Sequence, residues 1–167
     1  MYLVSADGKH FRIKEPTYPK DPSYGSHKFN GAGLTYLFAL SIVGCFIVHI
    51  YGPFPASKGD STMYAESLRQ KVLAAGGQVV ADSALRKYPE VDGMDRHLHS
   101  SEAKKFLSRT KNRQEALFAK LTTFKVLHDE FRHIKNLTRD HEMFVTAVAV
   151  IVQYQMELGS PLFDCVA

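Results

Sequence analysis

The residues best suited to chemistry lie in the last third of the chain. Glu130-x-x-His133 sets a carboxylate and an imidazole one helical turn apart, the pair that a carboxylate-bridged di-iron site takes from each of two helices. No other Glu is followed by His at the third position, so a di-metal centre within this chain is not expected. His128, Asp129, His141 and Glu142 enrich the neighbourhood, but His128 and His133 are five apart and point to different sides of a helix. His97-x-His99, in a loop, is too sparse for zinc. Cys45 and Cys165 form no metal quartet and no disulfide framework. Gly-rich phosphate loops, GxSxG elbows and HExxH are absent from the sequence. The expectation is a chain with no catalytic, cofactor-binding or metal-ligating residues and no cofactor, which is not an enzyme.

The element that organises this reading is Gly31–Tyr51, GAGLTYLFALSIVGCFIVHIY, 21 residues without Asp, Glu, Lys or Arg. As a helix it would be ~32 Å long, enough to cross a hydrocarbon core of ~30 Å. Tyr36 and Tyr51 stand where interfacial aromatics stand, and Gly52-Pro53-Phe54-Pro55 would end the helix. Lys9, Arg12, Lys14, Lys20 and Lys28 precede the run and place the N-terminus on the matrix or cytoplasmic side. Ser41, Gly44 and Cys45 would offer a small-residue face to another helix. His49, two residues from the end, reads as an interfacial imidazole with haem ligation as the sharper alternative.

On this plan the fold class is all-α: a single-pass transmembrane helix, 31–52, between an extended Pro-rich arm, 1–30, and a C-terminal helical region. Pro16, Pro19 and Pro22 extend the arm, and Tyr2, Phe11, Tyr18, Tyr24 and Phe29 suit it to lying on a partner. Residues 53–100 read as a short helix, Ser61 to Ala75, followed by loops. In 101–167, Leu117, Leu121, Phe124, Leu127, Phe131, Ile134 and Leu137 recur at helical spacing and predict one long amphipathic helix. Lys104, Lys105, Arg109, Lys111 and Arg113 in its first turns read as a solvated face, with a patch for anionic lipid, such as cardiolipin, or for nucleic acid as the functional alternative. The segment Glu142–Leu158 is apolar all round and predicts a helix enclosed on every side. Asn136-Leu137-Thr138 is a formal glycosylation sequon. The net charge of +4 is spread without one-sided basic excess, which argues against a nucleic-acid partner.

The exit His49-Ile50-Tyr51-Gly52-Pro53-Phe54-Pro55-Ala56-Ser57, followed by the polar helix Ser61 to Leu73, resembles the segment after the transmembrane helix of cytochrome c oxidase subunit 4. The resemblance covers about twenty-five residues plus the anchor. It implies a non-catalytic accessory subunit of a respiratory complex in the mitochondrial inner membrane, with its N-terminus in the matrix. Core and accessory subunits of that complex and membrane lipid would be its partners. The alternatives are a membrane-tethered helical binding module, an accessory subunit of another respiratory complex or of ATP synthase, and an enzyme using the Glu130/His133 region.

Overall fold

A computed structural model describes residues 1–16, 21–44, 46–93, 100–132 and 135–165. It is a mixed α/β structure built on a five-stranded sheet of order β3-β2-β1-β4-β5. The strands are β1 Tyr2–Arg12, β2 Gly33–Ser41, β3 Ile47–Pro55, β4 Gln78–Ala81 and β5 Val91–Asp92. β1, β2 and β3 form an antiparallel meander, and β4 returns parallel to β1. The helices are α1 Asp60–Ser67, α2 Arg69–Ala74, α3 Ser101–Leu121, α4 Lys125–His128 and α5 Leu137–Leu158.

This corrects the all-α expectation at its centre. No helix among the described residues is long and apolar enough to cross a membrane. The charge-free run 31–51 is instead β2, a connection and β3. β2 lacks charges because it is covered on both faces: Leu34, Tyr36, Phe38 and Leu40 enter one core, while Leu37 and Ala39 enter the other. A strand enclosed on both faces carries the same continuous apolar signature as a buried helix. The connection turns at Gly44, whose φ of +77° is the left-handed region that favours glycine, and Ser41 N–H donates to the Phe46 carbonyl across it at 2.9 Å. Gly44 is therefore a turn residue and not part of a helix-docking face; Cys45 lies outside the described residues. Pro53 and Pro55 do not stop a helix but sit on β3, an edge strand, where a missing N–H leaves no ladder bond unmade.

The N-terminal arm is corrected as well. Residues 2–12 form β1, which pairs with β2 on one side and β4 on the other. Alternate side chains of β1 divide between two cores: Phe11 packs with α3, α4 and α5, whereas Val4 and Ala6 pack with α1 and α2. Pro22 opens a one-turn 3-10 helix, Pro22–Tyr24, whose Ser23 N–H donates to Asp21 Oδ1 at 2.9 Å. Tyr18, Pro19 and Lys20 lie outside the described residues.

Downstream, the helix expected over 61–75 is two helices, α1 and α2, meeting at Leu68. The stretch read as loop, 78–100, contains β4 and β5. The long helix breaks after Leu121: α3 stops, α4 forms one turn, and Phe131 leaves helical geometry to bridge Ile13 beside β1. The helical spacing of Phe124 to Leu137 thus comes from three elements burying residues in one core; Ile134 is outside the described residues. α5 is not enclosed on every side. It buries Leu137, His141, Val145, Val148, Ala149, Val152 and Met156, while Met143, Val150, Ile151, Tyr154 and Leu158 remain exposed.

Candidate active site

Two acidic residues stand together at one end of the sheet. β1 and β4 are parallel neighbours with Ala6 opposite Ala81, so Asp7 and Asp82 are the residues that follow this pair along the two strands. Asp7 interrupts an apolar strand, and Asp82 follows immediately after Gln78–Ala81. Glu115, exposed on α3, lies close enough for its charge to act on both Asp7 and Lys9. Asp60, the first residue of α1, supplies a fourth carboxylate. Its side chain lies directly over Gly8, where an added Cβ would have to push the Asp60 carboxylate aside.

The electrostatics follow from that placement. Burial pushes the Asp7 carboxyl up to about 6, and the charges of Asp60 and Glu115 add to the rise; Lys28 and the Gly8 N–H, which donates to Asp7 Oδ1 at 2.8 Å, oppose it. Burial likewise raises Asp60, against the opposing charges of Lys28 and His27 and with a contribution from Asp82. Lys9 is lowered by burial, and its ammonium stands 5.3 Å from the centre of the Phe118 ring. Asp82 accepts from Ser83 N–H at 2.8 Å and has Lys111 Nζ at 4.0 Å. A cavity of about 30 Å³, room for one or two waters, lies between β1, β4 and α3 and is lined by Ser5, Asp7, Asp82, Thr110, Lys111 and Gln114. Ser5 Oγ donates to Gln114 Oε1 at 2.8 Å, leaving the buried Gln114 Nε2 without a partner among the described residues.

The residues singled out from sequence are not gathered here. Glu130 is exposed and pairs with Arg132 at 3.3 Å, and His133 is outside the described residues, as are His97 and His99. His128 and Asp129 form an exposed pair at 2.8 Å. His141 is fully buried, with Nδ1 2.7 Å from the Tyr36 hydroxyl among the rings of Phe11 and Phe131, while Glu142 is exposed. His49 lies on β3, hydrogen-bonded to Ser67 Oγ at 3.0 Å, which removes the intramembrane setting of its haem alternative. Asn136 and Thr138 flank the exposed start of α5. The basic run of α3 is split. Lys104, Lys105 and Lys111 are exposed, Arg109 donates to the Asp164 carbonyl, and Arg113 is buried, donating to the carbonyls of Ile42 and Ser41 at 2.9 and 3.0 Å. Cys165 is free and buried, with its sulfur 3.3 Å from Arg113 Nη1.

Asp7, Asp82, Glu115 and Asp60 were missed, although the signal was present: LVSAD and QVVAD are two short apolar runs each ending in Ala-Asp. Reading residues 1–30 as an arm and 78–100 as loop concealed that both are neighbouring strands.

The architecture is an α/β domain in which Asp7 and Asp82 directly follow paired residues of neighbouring parallel strands, which is not that of a helical membrane subunit. Residues 6–153 match the family described as DDE superfamily endonuclease, and the chain belongs to that family. Neither a curated protein nor a solved structure matches it. Membership in an endonuclease family corrects the resemblance to cytochrome c oxidase subunit 4, the accessory-subunit function and the expectation of no enzyme. It also corrects the exclusion of nucleic acid and the assignment of respiratory subunits and membrane lipid as partners. The mitochondrial inner-membrane placement falls with the span on which it rested.

Proposed function

We propose that this chain is the catalytic unit of an endonuclease that hydrolyses phosphodiester bonds in nucleic acid, with a divalent cation held by Asp7, Asp82 and Glu115. The observation that supports it is the juxtaposition of Asp7 and Asp82 on adjacent parallel strands, with Glu115 of α3 acting on Asp7. The superfamily's three letters, in the one-letter code, are Asp, Asp and Glu.

The donor chemistry suits a hard cation. Carboxylate oxygens are the ligands that Mg²⁺ and Mn²⁺ prefer. No three such groups among the described residues meet around one point. A bound divalent cation would supply Lewis-acid activation of the phosphate and of the attacking water. The chain's own residues supply placement: the sheet fixes Asp7, α1 holds Asp60 against Gly8, and the exposed Lys111 stands where a backbone phosphate would approach Asp82. Hydrolysis adds water across one P–O bond, leaving a phosphate on one end and a hydroxyl on the other.

Conversion of supercoiled plasmid to nicked or linear forms in Mg²⁺ or Mn²⁺ tests the reading. Cleavage by the wild-type chain, reduced at least about 100-fold in D7N, D82N and E115Q, is expected. Undiminished cleavage in D7N and E115Q would remove the assignment.

A further inference from the structure

Two consecutive residues of α3 are buried polar anchors, and the residue that follows them is Glu115. Arg113, 2% exposed, donates from Nη1 to the Ile42 carbonyl at 2.9 Å and from Nη2 to the Ser41 carbonyl at 3.0 Å, which ties the helix to the end of β2. Gln114, also 2% exposed, accepts from Ser5 Oγ of β1 at 2.8 Å through Oε1. The partners lie 71 to 109 positions away in the chain, so these bonds set tertiary register and not local helix geometry. Ser5 and Asp7 are two apart on β1 and share one face of the strand. Both line the same small cavity as Gln114, between β1, β4 and α3.

We propose that Gln114 is a positioning residue: its hydrogen bond to Ser5 fixes the rotation of α3 on β1 and so sets Glu115 relative to Asp7. This rests on the nuclease reading of Asp7, Asp82 and Glu115, and adds how the helix-borne carboxylate is held against those of the sheet. Apolar packing is non-directional and lets a helix turn on a sheet with little change in buried area. A hydrogen bond is directional and holds its partners within a few tenths of an ångström. Arg113 alone would leave α3 free to pivot about the end of β2. The second anchor, one residue on and directed to a different strand, removes that pivot. A turn of ~20° would carry a side-chain tip ~6 Å from the helix axis through ~2 Å, beyond the ~1 Å misplacement that costs catalysis as much as 100-fold. Stability alone is a weak reason for an amide at this position. Gln114 Nε2 is buried without a partner among the described residues, a penalty that an apolar side chain of the same length avoids.

Steady-state plasmid cleavage by the full chain in Mg²⁺, with a thermal melt of each variant, tests this. S5A and Q114M should each lower kcat about tenfold and leave KM within about twofold of wild type, since the helix is turned but the nucleic-acid surface is kept. The double variant should be no slower than the slower single one, because both substitutions break the same bond. S5T, which keeps the hydroxyl and has the cavity to receive its methyl group, should cleave within about twofold of wild type. Met matches Gln in length and carries no unpaired amide, so Q114M decides the matter even if S5A melts below the assay temperature. A wild-type kcat in folded Q114M, or losses that multiply in the double variant, would overturn the positioning role and leave the nuclease reading intact, because neither residue is a proposed cation ligand. Absence of cleavage by the wild-type chain would overturn both.

Discussion

Asp7 and Asp82 follow the paired residues Ala6 and Ala81 on adjacent parallel strands, although they are 75 positions apart in the chain. Adjacent strands lie ~4.8 Å apart, so pairing alone fixes the spacing of these two backbones before any side-chain rotation. The position is costly for Asp7, whose carboxyl is half-buried.

That cost predicts a trade between stability and function. With the folded Asp7 titrating near 6 and the unfolded near 3.8, the folded chain holds more protons between those values, and stability falls as pH rises through this window. D7N removes the penalty. Thermal melts at pH 7 without divalent cation should show D7N more stable than wild type, by up to about 2 kcal/mol, with the gain shrinking to nothing below about pH 4. A less stable D7N at pH 7 would contradict the burial of the charged form.

Gly8→Ala tests the close approach of α1. The added methyl occupies the place of Asp60 Oδ1 and must displace that carboxylate. We expect cleavage to fall about tenfold or more with a stability loss of only about 1 kcal/mol, because Asp60 can swing toward solvent. A double variant, G8A with D60A, should recover stability but not activity, as measured by melting and plasmid nicking.

His141 gives an opposite pH signature. Burial depresses it to about 4, so between about 4 and 6.5 the unfolded chain binds a proton that the folded chain refuses, and stability is lost as pH falls through that window. His141→Gln should flatten this part of the curve of stability against pH relative to wild type. Tyr36→Phe leaves His141 Nδ1 without its 2.7 Å partner and should cost about 1–3 kcal/mol at pH 7. Chemical denaturation across pH 4–8 reads both effects.

α5 separates its two faces sharply. Val148→Asp puts a charge into the core shared by β2, α3 and α5 and should unfold the chain or lower its stability by several kcal/mol. Val150→Asp, at a position 64% exposed, should change stability by less than about 0.5 kcal/mol. Equal damage at both sites in urea unfolding would show that the outer face is covered.

Much of the helical structure is legible in the chain. Gly76 and Gly77 stop the first helical stretch, Ser100 caps α3 by accepting from Ala103 N–H, and Gly159 with φ +144° ends α5. These are local signals, satisfied by neighbours within a few positions. The central strands were not legible in the same way. An uncharged run of 21 residues states that its side chains avoid water, and it states nothing of whether lipid, a helix or a second layer of the same chain excludes that water. Only the packing of α1 and α2 on one face and of α3 and α5 on the other decided it. The carboxylate site depends on the same step. Asp7, Asp60, Asp82 and Glu115 are separated by dozens of residues and become the proposed site only when β4 pairs with β1, α1 closes over Gly8 and α3 lies across the sheet. Sequence determined which residues shun water and marked a few helix ends; tertiary structure decided which apolar runs are strands, where the long helical pattern breaks and which acids become neighbours, because strand pairing and layer packing act between residues that the chain itself keeps far apart.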